Sequence, residues 1–423
     1  MTLIGRALVV AAIMLGAGIV APSVSTRPVA AAVAAVDVES ARQDPACSLG
    51  TGPGVTDRAV TLGNVADVSG PLPGLHRSAR QAVVAYVAYF NASGATLCGR
   101  RLELESYDSR MSVEADERVY ARACRNTFAV VGSSSELDSG GARRTQRCGL
   151  PDLRAVVSTA ARARCGTCFA THANSTVHVA ASVPDALVRR HPKASQKAGI
   201  FYVDIGGARE RVTTQATAWK RRGMRVPVVQ SIDVDERDYS PYVELMAEQR
   251  TRIAYFDGPA RNAARLARAL QSADFRPDVF LVSAASYSPD YLQRAGDAAE
   301  GTQVVVDFTA FEEESDSSEL VAYRSWLEKT SPGAAPTAEG VYAWSAARLF
   351  SEVAHSLGGR LTRERLVRAL ERVDDWTGRG LHAPQPVGDR TTGACSRFLE
   401  LDQGVWVPVV RASYRCGRVL RVS

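Results

Sequence analysis

The chain has 423 residues, which exceeds what one hydrophobic core usually serves and suits two lobes of ordinary domain size. Its hydrophobic content of 46 % marks it as globular, and its net charge of +6 comes from basic and acidic residues interspersed along the chain. Of 51 basic residues only Lys193, Lys197, Lys220 and Lys329 are lysine, and no basic stripe is interleaved with aromatics, which excludes a nucleic-acid-binding design.

At the start, Arg6 precedes an apolar run over 7–22 and a small-residue stretch around 30–35 with several Ala-x-Ala options, the pattern of a cleaved export signal over 1–35. The run is short for a membrane span, which needs roughly 20 apolar residues. The mature protein is therefore expected outside the cytoplasm and not spanning a membrane, unless the leader stays uncleaved and tethers it. The first cysteine, Cys47, lies far beyond the apolar run, so a lipid anchor is not expected. Residues 36–53 read as a linker.

Export to an oxidising compartment lets the eight cysteines pair. Local grouping suggests Cys98 with Cys124 and Cys395 with Cys416, and leaves Cys47, Cys148, Cys165 and Cys168 open. Cys165-Gly-Thr-Cys168 has the form of a redox motif, and with His172 and His178 it has the form of a zinc set. A redox pair belongs at a strand-to-helix junction, whereas here no clear helix follows, so no metal or other cofactor is expected.

The body alternates apolar strands with amphipathic helices, the signature of parallel sheets covered on both faces. Residues 54–71 deliver a short strand into a Ser69-Gly70-Pro71 turn. A helix over 76–91 follows, then a strand over 102–107, a helix over 113–125, a strand over 128–132 and a fourth strand over 155–157. A second such series places strands at 199–203, 226–230, 253–256, 279–283 and 304–308, with helices near 209–222, 240–249, 259–272 and 289–295. Helices are predicted over 320–329, 338–357 and 363–373, and then strands over 397–401 and 405–410 flank Asp402-Gln403-Gly404 as a hairpin.

Five elements in order carry a family resemblance: residues 54–71, the run 128–135 ending in Ser133-Ser134-Ser135, Arg237-Asp-Tyr-Ser-Pro241, Gly296-Asp-Ala-Ala-Glu-Gly301, and Gly340-Val-Tyr-Ala-Trp-Ser-Ala-Ala347. Together they resemble the solute-binding proteins of branched-chain amino-acid ABC transporters, the leucine/isoleucine/valine-binding type with the type I periplasmic-binding fold. The resemblance implies an α/β protein of two Rossmann-like lobes with parallel sheets, three crossovers and a ligand cleft that closes on binding. Lobe 1 would hold 54–177 and 309–375, and lobe 2 would hold 178–308 and 376–423. It also implies a small-molecule ligand, an ABC permease as partner, and no catalysis.

In an open α/β sheet, ligands bind beyond the carboxyl ends of the strands. Ser133, Ser134 and Ser135 offer hydroxyls and backbone N–H groups there, which suits a carboxylate or merely caps a helix; the resemblance favours the carboxylate. Ser158 and Thr159 match in position the family's loop for the amino-acid head group. Lobe 2 departs from the pattern, because the stretch Ser283-Ala284-Ala285-Ser286 lacks the acid that would hold an ammonium group. Asp257 is the best replacement and Asp204 the second, while Tyr287 is placed to stack on or cover a ligand. The expected ligand is small, polar and carboxylate-bearing. A sensor or binding partner of the same fold is the alternative reading. A serine hydrolase is weaker, since the chain has no Gly-x-Ser-x-Gly elbow and no histidine in a recognisable catalytic motif, and a nucleotide enzyme is no better supported, since no phosphate-binding glycine motif occurs.

Overall fold

The computed structural model describes Cys47 and residues 50–173, 175–410 and 414–422; the expected leader over 1–35 and most of the linker lie outside them. The first sheet grows from β1 (Ala59–Ala66), whose residues are almost all buried, as a central parallel strand requires. Around it come α1 (Arg77–Ala92), β2 (Arg101–Asp108), α2 (Val113–Asn126), β3 (Ala129–Val131), α3 (Ser139–Arg147), β4 (Asp152–Arg154), the single turn α4 (Ala160–Ala163) and β5 (Cys168–Ala170). The strand order is β2-β1-β3-β4-β5, parallel throughout. α2 starts where Ser112 accepts a hydrogen bond from Ala115 N, with Glu114 and Asp116 in the first turn complementing the helix dipole.

After β6 (His178–Ala180) and α5 (Ser182–Arg190) the second sheet is laid down by β7 (Ala198–Val203), α6 (Ala208–Arg221), β8 (Val228–Ile232), α7 (Ser240–Glu248), β9 (Ile253–Asp257), α8 (Ala260–Ser272), β10 (Val279–Val282), α9 (Pro289–Ala295) and β11 (Gln303–Val306). The chain then returns to the first sheet with α10 (Ser318–Thr330), α11 (Ala338–Leu357) and α12 (Arg363–Leu370). α11 is capped by Thr337 and buries most of its length against α1, joining Trp344 to Tyr86 edge-on at 5.0 Å. The last crossover brings β12 (Cys395–Asp402) antiparallel to β11, and β13 (Val405–Pro408) extends that edge. β14 (Arg415–Cys416) pairs with β12, and β15 (Val419–Arg421) pairs with β6. The result is the type I periplasmic-binding fold: two sheets, each with helices on its faces, and three passages of the chain between them.

Two expectations are corrected. The fourth strand lies at Asp152–Arg154, and Val156 and Val157 belong to the loop beyond it. Its two charged residues are fully buried in an ion network, so the strand carries no apolar run to reveal it. Cys98 does not pair with Cys124. Cys98 packs on the α1 and α11 side of the first sheet and bonds Cys47, whereas Cys124 faces α3 on the opposite side and bonds Cys148. Cys165 bonds Cys168, and Cys395 bonds Cys416 across the β12–β14 pair as expected.

Candidate functional site

The carboxyl ends of both sheets face each other, and the first lobe arrives there with most of its polar groups already committed. Asp67, just past β1, is buried and accepts from Ser109 Oγ and Met111 N at 2.7 Å and from Glu136 N at 2.8 Å, which ties together the ends of three strands. Ser133 Oγ accepts from Val65 N at 3.0 Å, and Ser134 bridges to Ala66 through its backbone while its own hydroxyl finds no partner. Ser135 Oγ accepts from Arg154 Nη2 at 3.1 Å. All three serines are buried, the hydroxyls of Ser133 and Ser135 are engaged within the framework, and among the described residues none of the three is hydrogen-bonded to a histidine as a hydrolase would require. The backbone N–H groups of Ser158 and Thr159 both donate to the Asp138 carboxylate, and the Thr159 hydroxyl caps α4.

Beneath these loops, Arg154 and Arg162 are fully buried among Asp116, Asp138 and Asp152, with ion pairs of 3.0–3.4 Å. Burial pushes the Asp116 carboxyl up to about 6 against the opposing pull of Arg162 and Arg154.

The second lobe meets this surface through Gly206 and Gly207, directly after β7. A Cβ on Gly207 would stand 2.0 Å from the Ser158 carbonyl oxygen, and one on Gly206 would stand 2.6 Å from that of Glu136. Only glycine lets the two lobes touch so closely, and Gly206 also has a φ of +53°. Arg211, in the first turn of α6, reaches Glu136 at 3.9 Å and Asp257 at 3.8 Å, with its side chain 31 % exposed. Burial opposes its charge, but the carboxylates of Asp257 and Glu136 outweigh it and hold its pKa above the ordinary range. Behind Glu136 stands His76, which pairs with Asp67 at 3.4 Å and with Glu136 at 3.6 Å.

From Arg211 a cavity of about 320 Å³ runs down between α6 and the second sheet. One side is the α6 stripe Arg211, Thr214, Gln215 and Trp219; the other is Tyr255, Leu281 and Val305, one residue from each of β9, β10 and β11. His172 and Asp307 stand at the end nearest the crossovers. The Asp307 carboxylate receives His172 Nδ1 at 2.9 Å, Tyr342 OH at 2.5 Å and Gln385 Nε2 at 2.7 Å, so one residue gathers all three crossovers and α11. Burial works against its charge, but His172 and the Tyr342 hydroxyl keep it below the usual carboxylate range. His172 stacks flat on Tyr342 at 4.0 Å.

Of the residues expected from the sequence to bind the ligand, Asp257 lines this cavity. Ser158 and Thr159 lie at the first-lobe side of the junction, and Ser133, Ser134 and Ser135 lie deeper within that lobe. Asp204 pairs with Arg209 at the surface, away from the cavity. Tyr287 is buried, donates to Glu312, accepts from Phe311 N and stacks on Phe311 at 4.8 Å, so it belongs to an aromatic cluster of the core. His172 and His178 reach the cavity without the cysteines, and among the described residues no cluster could hold a metal ion. The residues that sequence reasoning missed are Arg211, Trp219 and Asp307, while His172 was read only as part of a zinc set. A signal for the first two was present: Arg211 falls on the same helical stripe as Trp219, a cation on what reads as a buried face.

Comparisons with known proteins bear on the family and the fold. The sequence profile of the periplasmic binding protein family matches residues 59–404. Among solved structures, a fatty acid ABC transporter substrate-binding protein from Thermomonospora curvata is 20% identical with a TM-score of 0.74, covering 87% of this chain and 95% of that one. The branched-chain amino acid transporter substrate-binding protein of Streptococcus pneumoniae, in complex with isoleucine, is 14% identical with a TM-score of 0.68, covering 86% and 100%. An ABC transporter solute-binding protein from R. palustris, in complex with benzoate, is 15% identical with a TM-score of 0.69, covering 86% and 98%. At these identities the likeness is one of fold. No curated protein sequence matched the chain.

Proposed function

The chain belongs to the periplasmic binding protein family, and we propose that it works outside the cytoplasm as a solute-binding protein, capturing a small carboxylate-bearing ligand between its lobes and handing it to an ABC permease. The observation that carries this reading is the cavity at the lobe junction, with Arg211 at its head. A guanidinium reaching two carboxylates only at 3.8–3.9 Å, with no closer hydrogen bond among the described residues, has donors to spare for a ligand. Fold relatives from Thermomonospora curvata, Streptococcus pneumoniae and R. palustris are named for, or solved with, fatty acids, isoleucine and benzoate, and all of these carry a carboxylate.

Asp257 and the Ser158–Thr159 loop complete the proposed contact set from the two sides of the junction. In this reading the existing contact of Gly206 and Gly207 with the first lobe belongs to the closed form. Among the described residues no helix is long and apolar enough to cross a membrane, and delivery would rest on docking of the closed form to a permease.

A thermal-unfolding screen over amino acids, short and long aliphatic acids and aromatic acids tests the reading. A ligand that binds only the folded protein stabilises it by about 2.7 kcal/mol at a hundredfold excess over its Kd, and at least one acid is expected to raise the melting temperature. An unchanged melting temperature with every compound would overturn the proposal.

A further inference from the structure

The cavity beneath α6 has a shape and a lining that define a ligand more narrowly than the lobe junction alone. On α6 the lining residues recur at spacings of three, one and four, so they form one stripe along a single helix face. From Arg211 to Trp219 that stripe descends eight residues, roughly 12 Å at about 1.5 Å per residue. Polarity changes along it: Arg211 is at the head, Thr214 and Gln215 are in the middle, and the buried indole of Trp219 forms the floor. Opposite the stripe, Leu281 and Val305 supply aliphatic surface from the sheet, and Val183 supplies it from α5. Val183 and Val305 are only partly buried although they sit within the fold, because they border this open space. The floor also carries an unused group, since the Trp219 indole N–H is buried and finds no acceptor among the described residues.

On the first-lobe side of the junction, by contrast, Ser133, Ser135 and Ser158 are not part of the cavity lining. Ser133 and Ser135 are buried and hydrogen-bonded, and the Ser158 loop touches Gly207. We infer that the ligand of this protein is an amphipathic monocarboxylate whose apolar body lies wholly in the second lobe, along the α6 stripe, with its carboxylate at Arg211 and its far end at Trp219. This inference rests on the solute-binding reading and narrows it. The carboxylate takes guanidinium donors that Glu136 and Asp257 leave free at 3.9 and 3.8 Å. The chain displaces solvent from aliphatic and aromatic walls, so affinity follows buried length rather than head-group contacts alone.

Isothermal titration of the full chain with the straight-chain acids from butanoate to octanoate, and with octylamine and octanamide, tests the inference. Affinity is expected to rise roughly fourfold per added methylene, with octanoate bound more tightly than octanamide and octylamine not bound. In Val305→Phe and, from the facing helix, Val183→Phe, the added ring occupies the cavity; octanoate affinity is expected to fall at least tenfold while butanoate binding is retained. Two variants on different elements keep the test meaningful if one folds poorly. Affinity that is independent of chain length and unchanged in both variants would overturn the subsite and leave the solute-binding role standing. Tighter binding of the amine than of the acid would overturn the carboxylate assignment. Absence of binding by every acid, amino acids included, would overturn both readings together.

Discussion

Two clusters of arginine and carboxylate, one beneath the first-lobe loops and one at the lobe junction, are built in opposite ways. In the first lobe, Arg154 and Arg162 have no exposed surface, and their three aspartates lie at 3.0–3.4 Å with Tyr120, Ser135 and Thr145 filling further positions. In the second, Arg211 keeps about a third of its side chain open and meets its carboxylates only at 3.8–3.9 Å. The same residue types therefore serve different ends. Where every donor is used, the charge organises the fold; where donors remain, beside an apolar cavity, the charge is free to recognise something else.

The sharpest way to break that contrast is to remove one member of the closed cluster. Arg162→Met leaves Asp116 and Asp152 buried with one cation fewer, and is expected to cost about 3–5 kcal/mol of stability. Urea denaturation measures it; a loss below about 1 kcal/mol would show that the cluster is not the organising feature it is taken to be. At the junction itself, Gly207→Val puts a branched side chain where a Cβ already meets the Ser158 carbonyl at 2.0 Å. The lobes are expected to stay apart, with a larger radius of gyration by small-angle scattering and roughly tenfold weaker ligand binding, since only the closed fraction binds tightly. Unchanged scattering and affinity would show that closure does not need this contact. Arg211→Met is expected to weaken binding of a carboxylate ligand by about 1.5–3 kcal/mol while changing stability by less than about 1 kcal/mol; the reverse pattern in calorimetry and denaturation would make Arg211 a structural residue after all.

A smaller effect concerns pH. Burial opposes the charge on His76, but Asp67, Glu136 and Glu339 outweigh it and hold its pKa above 6.5. The stability it contributes is therefore complete below pH 6.5 and is lost as pH rises through the raised folded value. Denaturation midpoints measured upward from pH 6 are expected to decline in the natural protein and to lose that component in His76→Gln. Equal slopes in the two proteins would remove His76 from the account.

Much of the fold was legible because strands buried on both faces leave apolar runs. β7, β9, β10 and β11 read almost to their ends for this reason, as did the buried helix 338–357, whereas the edge strand β8, only partly buried, lies two residues later than expected. β4 was not legible, since its Asp152 and Arg154 are buried by one another and by Arg162 from farther along the chain. The site divides similarly. Ser133, Ser134 and Ser135 have the local look of a ligand loop, but Val65 and Arg154, from other strands, engage the hydroxyls of Ser133 and Ser135. Arg211 carries no local signature beyond its place on the Trp219 stripe, because its meaning depends on Glu136 and Asp257 brought in from elsewhere. Cysteine pairing failed at Cys98 for a related reason: nearness in sequence does not say on which face of a sheet a residue emerges.

The four disulfides have a mechanical consequence. Three of them, Cys47–Cys98, Cys124–Cys148 and Cys165–Cys168, stay within the lobe of the first sheet, and Cys395–Cys416 stays at the edge of the second. No covalent strap runs from one half to the other. Each half is thus braced as a separate rigid plate, by restricting what its unfolded chain can explore, while the articulation between the plates is left to reversible contacts gathered at Asp307. A reducing environment would soften the plates before it changed the swing of the joint.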